Sequence, residues 1–164
     1  MPLRIEPLVE GDWPAARAIY LEGLATGVGS FETTAPSWEQ WNAARLPHSR
    51  LAAFEDGLVG WAALSAVSAR VCYAGVAEVG LYVAAAARGR GVGTALLEAL
   101  VASAESHGLW TLQGVTIAAN AASVALQTRC GFRLVGRRER IARRDGIWHD
   151  TVLMERRSRT IGMD

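Results

Sequence analysis

Seven residues, Arg88-Gly-Arg-Gly-Val-Gly-Thr94, stand between a strand-like run and a helix-like run and constrain this chain more than any other stretch. The preceding run, Val76-Ala77-Glu78-Val79-Gly80-Leu81-Tyr82-Val83, is almost wholly apolar, the pattern of a strand buried on both faces. The following run, Thr94 to Ser106, carries Leu96, Leu97, Leu100, Val101 and Ala104 at helical spacing. A strand that enters a helix through glycines aims unpaired N–H groups and the positive end of the helix dipole at the turn. Gly89, Gly91 and Gly93 let the backbone close on an anion, so the turn reads as a phosphate site or as a bland tight turn. Two common phosphate binders are excluded. A dinucleotide fingerprint counted from Gly89 or Gly91 requires glycine where Thr94 or Leu96 stands, and no P-loop lysine is present.

The rest of the chain arranges itself around this unit. Leu3 to Leu8 alternates as a first strand, and Asp12 with Pro14 opens a helix whose buried face is Trp13, Ala16, Ile19, Tyr20 and Leu24. Gly27 and Gly29 break it, and Ser37 with Gln40 forms a capping box for a second helix. Phe31 and Glu32 therefore fall in the loop between the two helices. Arg50 to Glu55 and Leu58 to Leu64 make a hairpin about Asp56-Gly57. After the glycine turn and its helix come a strand over Trp110 to Ile117, a helix from Asn120 to Cys130 capped by Asn120, and a hairpin across Arg144-Asp145-Gly146. Residues 155–164 are expected to fray. This order predicts an α+β fold, a mixed central sheet of about seven strands with about four helices on its faces, in one domain over residues 1–164.

Composition removes several function classes. With 17 basic against 16 acidic residues the formal charge is +1, which gives no general attraction for nucleic acid or an anionic membrane. Every basic residue is arginine, so Schiff-base lysine chemistry is excluded. His48, His107 and His149 are scattered, and with Cys72 and Cys130 they show neither metal-ligand nor triad spacing, so no metal is expected. Two cysteines and an amino terminus without an apolar signal core point to the cytoplasm, and no run is long enough to span a membrane. Arginines between 129 and 159 permit an RNA-binding module, but they flank a hairpin turn and lack interleaved aromatics.

The spacing Arg-x-x-Gly-x-Gly resembles the acetyl-coenzyme A pyrophosphate loop of the GNAT N-acetyltransferases, whose element order is also the one above. Further motifs occur in the order seen in phosphinothricin and methionine sulfoximine N-acetyltransferases. These are Ser30-Phe31-Glu32-Thr33, Ala77-Glu78-Val79, Leu81-Tyr82-Val83, Asn120-Ala-Ala-Ser123, Cys130-Gly-Phe132 and Gly146-Ile-Trp-His-Asp150. The resemblance implies an acetyl-coenzyme A-dependent N-acetyltransferase, assembled as a homodimer, that acetylates a small-molecule primary amine by direct attack in a ternary complex.

By the same resemblance, Leu81, Tyr82 and Val83 offer backbone hydrogen bonds to the pantetheine arm. Arg88, Gly89, Arg90, Gly91, Val92, Gly93 and Thr94 hold the pyrophosphate, and Asn120 with Ser123 contacts the pantetheine region. Glu78 is the candidate base. An apolar surrounding favours the neutral form of a carboxylate, which suits one that accepts an ammonium proton directly or through a water; the alternative is a carboxylate that only binds the ammonium. Phe31, Glu32, Arg70 and Tyr73 would line the acceptor cleft, with Arg70 gripping a carboxylate or phosphinate. Three positions depart from the subgroup. Gln127 stands where many members carry a Tyr or His acid and reads equally as a solvated helix residue, while Ala74 and Val76 replace residues often Arg and Thr. A GNAT enzyme acetylating protein amino termini or polyamines is the chief rival, and a non-catalytic acetyl-coenzyme A or RNA-binding module is a lesser one. Trp148 and Asp150 are expected to support the core or pocket wall.

Overall fold

The computed structural model describes residues 1–164. Seven strands, β1 (Arg4–Pro7), β2 (Leu51–Phe54), β3 (Leu58–Ala66), β4 (Val76–Val83), β5 (Thr111–Ile117), β6 (Arg133–Arg144) and β7 (Ile147–Arg157), form one sheet in the order β1-β2-β3-β4-β5-β7-β6. Every neighbouring pair is antiparallel except β4 and β5. That parallel step requires a crossover, which is supplied by the glycine turn and helix α3 (Val92–Ser106). Helices α1 (Trp13–Ala25) and α2 (Trp38–Ala44) cover one face of the sheet. Helix α3 and helix α4 (Ala121–Arg129) lie on the other. No helix is long and apolar enough to cross a membrane.

Two cores follow from strand alternation. On the α3 side, Ala53, Ala62, Leu64, Ala77 and Leu112 pack with Leu96, Leu97 and Leu100. On the α1 side, Trp13, Trp41, Trp61, Tyr20 and Tyr82 form a connected aromatic cluster. The Trp61 indole N–H donates to the Ala16 carbonyl at 3.0 Å.

Several local signals act as expected. The Ser37 hydroxyl accepts from the Gln40 N–H at 3.2 Å while the Gln40 side chain accepts from the Ser37 N–H at 3.0 Å. Other details differ. Asp12 does not cap α1 with its side chain and instead accepts from the Val9 N–H at 3.0 Å, closing the 3-10 turn that precedes the helix. Helix α3 starts at Val92, two residues before the expected Thr94, because Gly91 at φ 84° already serves as its N-cap. The expected frayed tail from 155 is a strand end. β7 runs to Arg157, Ser158 is 2% exposed and its hydroxyl accepts from the N–H groups of Thr160 and Ile161, so the backbone beyond the strand finds partners in the tail itself. Asp150 fastens a bulge in β6: it accepts from the Arg140 N–H at 2.8 Å and from Arg137 Nε at 2.8 Å. Those two bonds, the backbone one foremost, hold its carboxyl below the usual carboxylate range.

The His48 and His107 rings stack with centroids 4.0 Å apart and planes 3° from parallel, joining the segment before β2 to the end of α3. Burial first, then His107 and Arg50, hold the His48 imidazole below its ordinary value. A histidine with a depressed folded-state pKa leaves stability intact above its unfolded value of about 6.5 and removes stability as pH falls through the folded value. Thermal melts of wild type and His48→Asn between pH 7.5 and 5 are expected to diverge, with wild type losing more. Parallel curves would show that the stacked pair carries no acid sensitivity.

Candidate active site

β4 and β5 pair over only three residue positions, Val76↔Thr111, Ala77↔Leu112 and Glu78↔Gln113, and then part. Beyond Glu78 one edge of β4 faces a gap instead of a strand. Which backbone groups face it follows from alternation. The Ala84 N–H points to β3, donating to Val59 O, while Gly75 O points to the β5 side, accepting from the Trp110 and Thr111 N–H groups. Val79, Leu81 and Val83 therefore direct their peptide groups into the gap. The Val83 carbonyl is already taken by Arg88 Nε at 3.1 Å. Tyr82 departs from expectation, since its peptide groups face β3. β4 is half-buried from Glu78 onward rather than buried on both faces, because its partner has left.

The gap is a cleft of about 110 Å³ lined by Gly80, Leu81, Gly114, Thr116, Asn120 and Gln127 among others. At one end stands the start of α3. Gly89 and Gly91 have φ of 72° and 84°, and a Cβ on either would meet nothing within 4 Å. Both glycines are thus required by left-handed backbone and leave open space in front of the free N–H groups of the first helical turn. The arginines of the turn are engaged elsewhere. Arg88 holds Val83 O, and Arg90 pairs with Glu55 at 2.6 Å. The groups that face the open space are then the backbone N–H groups from Val92 to Thr94.

On the α4 side of the cleft, Asn120 does two things. Its Oδ1 accepts from the Ser123 N–H at 3.2 Å, capping α4, and its Nδ2 donates to Val28 O at 3.2 Å, tying the helix to the loop after α1. Gln127 is not solvated. It is 6% exposed, and its Nε2 donates to Thr116 Oγ1 at 2.8 Å and lies 3.3 Å from the Ser123 carbonyl. A carbonyl only accepts, which sets the amide with Nε2 on that side. Its Oε1 has no partner and lies against Gly114, where a Cβ would come within 2.0 Å. A side chain buried in this way is part of the cleft wall, and its neutral amide is no acid.

Glu78 and Tyr82 share the α1 face of β4, and Gln113 and Val115 share that face of β5. The Gln113 amide donates to Glu78 Oε1 at 2.9 Å, so the carboxylate is held where the strands begin to part. Tyr82 packs edge-on to Tyr20 at 4.8 Å, and burial foremost, with Tyr20 adding, pushes its phenol up to about 12. It is a neutral wall.

The expected acceptor residues do not all come together. Phe31 packs on His149 at 5.6 Å, and Arg144 reaches across from β6 to bind the same loop, donating to Ser30 O at 2.6 Å and to Gly27 O. Glu32 is exposed beside it. Arg70 and Tyr73 sit instead on the segment before β4, where the guanidinium lies 5.7 Å from the Tyr73 ring; both are exposed and neither lines the cleft. Sequence reasoning missed Gln113, Arg144 and the half-buried Arg45, because each works through a partner distant in the chain.

The comparisons with known proteins agree with this geometry. Residues 13–132 match the acetyltransferase (GNAT) family. The chain belongs to the GNAT acetyltransferase family. This GNAT enzyme is 36% identical over 157 residues to the phosphinothricin N-acetyltransferase of Alcaligenes faecalis, an alignment covering 90% of this chain and 78% of the relative. A GNAT superfamily phosphinothricin acetyltransferase from Sinorhizobium meliloti, solved in complex with acetyl-coenzyme A, superposes with a TM-score of 0.87 at 26% identity, covering 100% of this chain and 97% of that one. A ribosomal-protein-alanine N-acetyltransferase from Brucella melitensis superposes with a TM-score of 0.87 at 29% identity, covering 94% of this chain and 99% of that one. The GNAT fold expected from the motif order, with seven strands and four helices, is the fold observed.

Proposed function

We propose that this protein moves the acetyl group of acetyl-coenzyme A onto the primary amine of a small amino-acid-like acceptor of the phosphinothricin or methionine sulfoximine type, by direct attack within a ternary complex. The observation that carries the reading is the parting of β4 and β5 at Glu78. It joins a cleft with strand-like hydrogen-bonding edges to a carboxylate on the opposite face of the sheet. The pantetheine arm would pair with Val79, Leu81 and the Val83 N–H as an added strand. Its pyrophosphate would sit on the free N–H groups of Val92, Gly93 and Thr94.

Acyl transfer to an amine needs a neutral nucleophile, a polarised carbonyl and a stabilised leaving group. Glu78 takes the ammonium proton, directly or through a water. A peptide N–H between Val79 and Leu81 polarises the thioester carbonyl. Gln127 cannot act as an acid, so the thiolate leaves unprotonated by it and takes its proton from solvent. The 164 residues act as one domain, in the cytoplasm, as a homodimer.

The test is thiol release from acetyl-coenzyme A with phosphinothricin, methionine sulfoximine, ordinary amino acids, polyamines and an alanyl amino-terminal peptide. Release with the two small acids is expected. Release only with the peptide would replace this reading by the one that the likeness to the ribosomal-protein-alanine enzyme favours.

A further inference from the structure

Arg45 is a cation without a partner in a place where cations are normally paired. It ends α2 and is half-buried, yet it makes no ion pair, and its side chain donates no hydrogen bond. Its Nε is fully buried and unsatisfied. Nothing about its position is loose. The Leu46 N–H donates to Leu64 O at 2.8 Å, and the Leu46 and Arg45 carbonyls accept from Arg50 Nε and Nη2 at 2.6 and 3.2 Å. The guanidinium lies 5.7 Å from the Trp41 ring. Arginine stays charged at any ordinary pH, and a buried charge without a counter-ion is costly. Burial accordingly disfavours the charged form of Arg45, while Tyr82, Tyr20 and Glu78 act in the opposite sense.

The register of the sheet says what lies in front of it. Leu64, which holds Leu46, stands opposite Val79, and Ser65 stands opposite Glu78. Arg45 thus sits on the α1 side at the β2 edge of β3, one strand away from Glu78 with Ser65 between them, near enough that Tyr82, Tyr20 and Glu78 favour its charge. The terminal nitrogens of the guanidinium are not among the fully buried, unsatisfied atoms and have no protein partner. A planar fork of donors with no acceptor opposite matches a carboxylate or phosphinate.

We propose that Arg45 is the anchor for the oxyanion of the acceptor, holding an amino acid by its carboxylate or phosphinate so that its amine meets Glu78. This role was expected of Arg70, which is exposed on the segment before β4 with its guanidinium 5.7 Å from the Tyr73 ring. The inference rests on the small-acid reading above and deepens it.

Arg45→Met tests it, because methionine fills a similar apolar volume without the charge. Loss of a charged hydrogen-bonded contact is expected to raise the KM for phosphinothricin or methionine sulfoximine by roughly 10- to 100-fold. The KM for acetyl-coenzyme A should stay within about twofold, since the anchor does not touch the cofactor cleft. Preference for methionine sulfoximine over its carboxamide should collapse, and Arg45→Lys should recover part of it. An unpaired cation also predicts that the ligand-free Arg45→Met protein melts no lower than wild type, because removing an uncompensated charge relieves its desolvation cost. If wild type acetylates neither acid, the small-acid reading fails, and Arg45 is decided separately by whether added phosphinate raises the melting temperature of wild type but not of Arg45→Met, equal shifts in both overturning the anchor. A lower melting temperature in Arg45→Met, or an unchanged KM for the acids that wild type does acetylate, overturns the proposal.

Discussion

Glu78→Gln is expected to lower turnover at neutral pH by roughly 100- to 10,000-fold, the range for loss of a positioned proton acceptor. Glutamine keeps the shape and can still meet the Gln113 amide, so the local packing survives. Binding of acetyl-coenzyme A, measured by calorimetry, should be nearly unchanged, because the carboxylate lies on the α1 face and the glycine turn begins after the far end of β4. The deficit should narrow as pH rises and the acceptor amine loses its proton in solution. A deficit constant across pH would make Glu78 a binding group for the ammonium, and unchanged turnover at every pH would remove it from the reaction.

Gly91→Val addresses the other end of the cleft. A β-branched residue at φ 84° is strained by about 1–2 kcal/mol, and its side chain would occupy the open space in front of the α3 amino terminus. Acetyl-coenzyme A affinity is expected to fall about tenfold or more. Gly91→Asn separates the two causes, since asparagine tolerates left-handed backbone yet still fills the space. Weak binding in both variants assigns the loss to the space, and weak binding only in the valine variant assigns it to strain. Wild-type affinity in both would falsify the turn as the pyrophosphate cradle.

What could be read beforehand was local. Ser37 with Gln40, Asn120 with Ser123, and Gly91 before α3 each act within three or four residues, so the pattern and its consequence sit in one window of sequence. The order of such windows was enough for the fold. The acceptor side was poorly legible for the opposite reason. Arg144 binds Ser30 across 114 residues of chain, and Gln113 binds Glu78 across 35; neither end carries a mark of the other. Gln127 was misread because its burial depends on Gly114, a glycine in a neighbouring strand that no helical pattern reveals. Arg45 carries no mark in the sequence, since its place depends on Leu46 meeting Leu64 across the edge of β3.

The brevity of the β4–β5 pairing has a consequence for how the molecule holds together. Only three residue positions join the β1–β4 half of the sheet to the β5–β7 half, whereas β5 meets β7 along its whole length. Hydrogen exchange in the free protein should therefore resolve two cooperative units, separable at this seam, with α3 as the element shared between them. A ligand chain lying in the seam as an extra strand would weld them into one, so that substrate occupancy sets the mechanical unity of the fold as well as its chemistry.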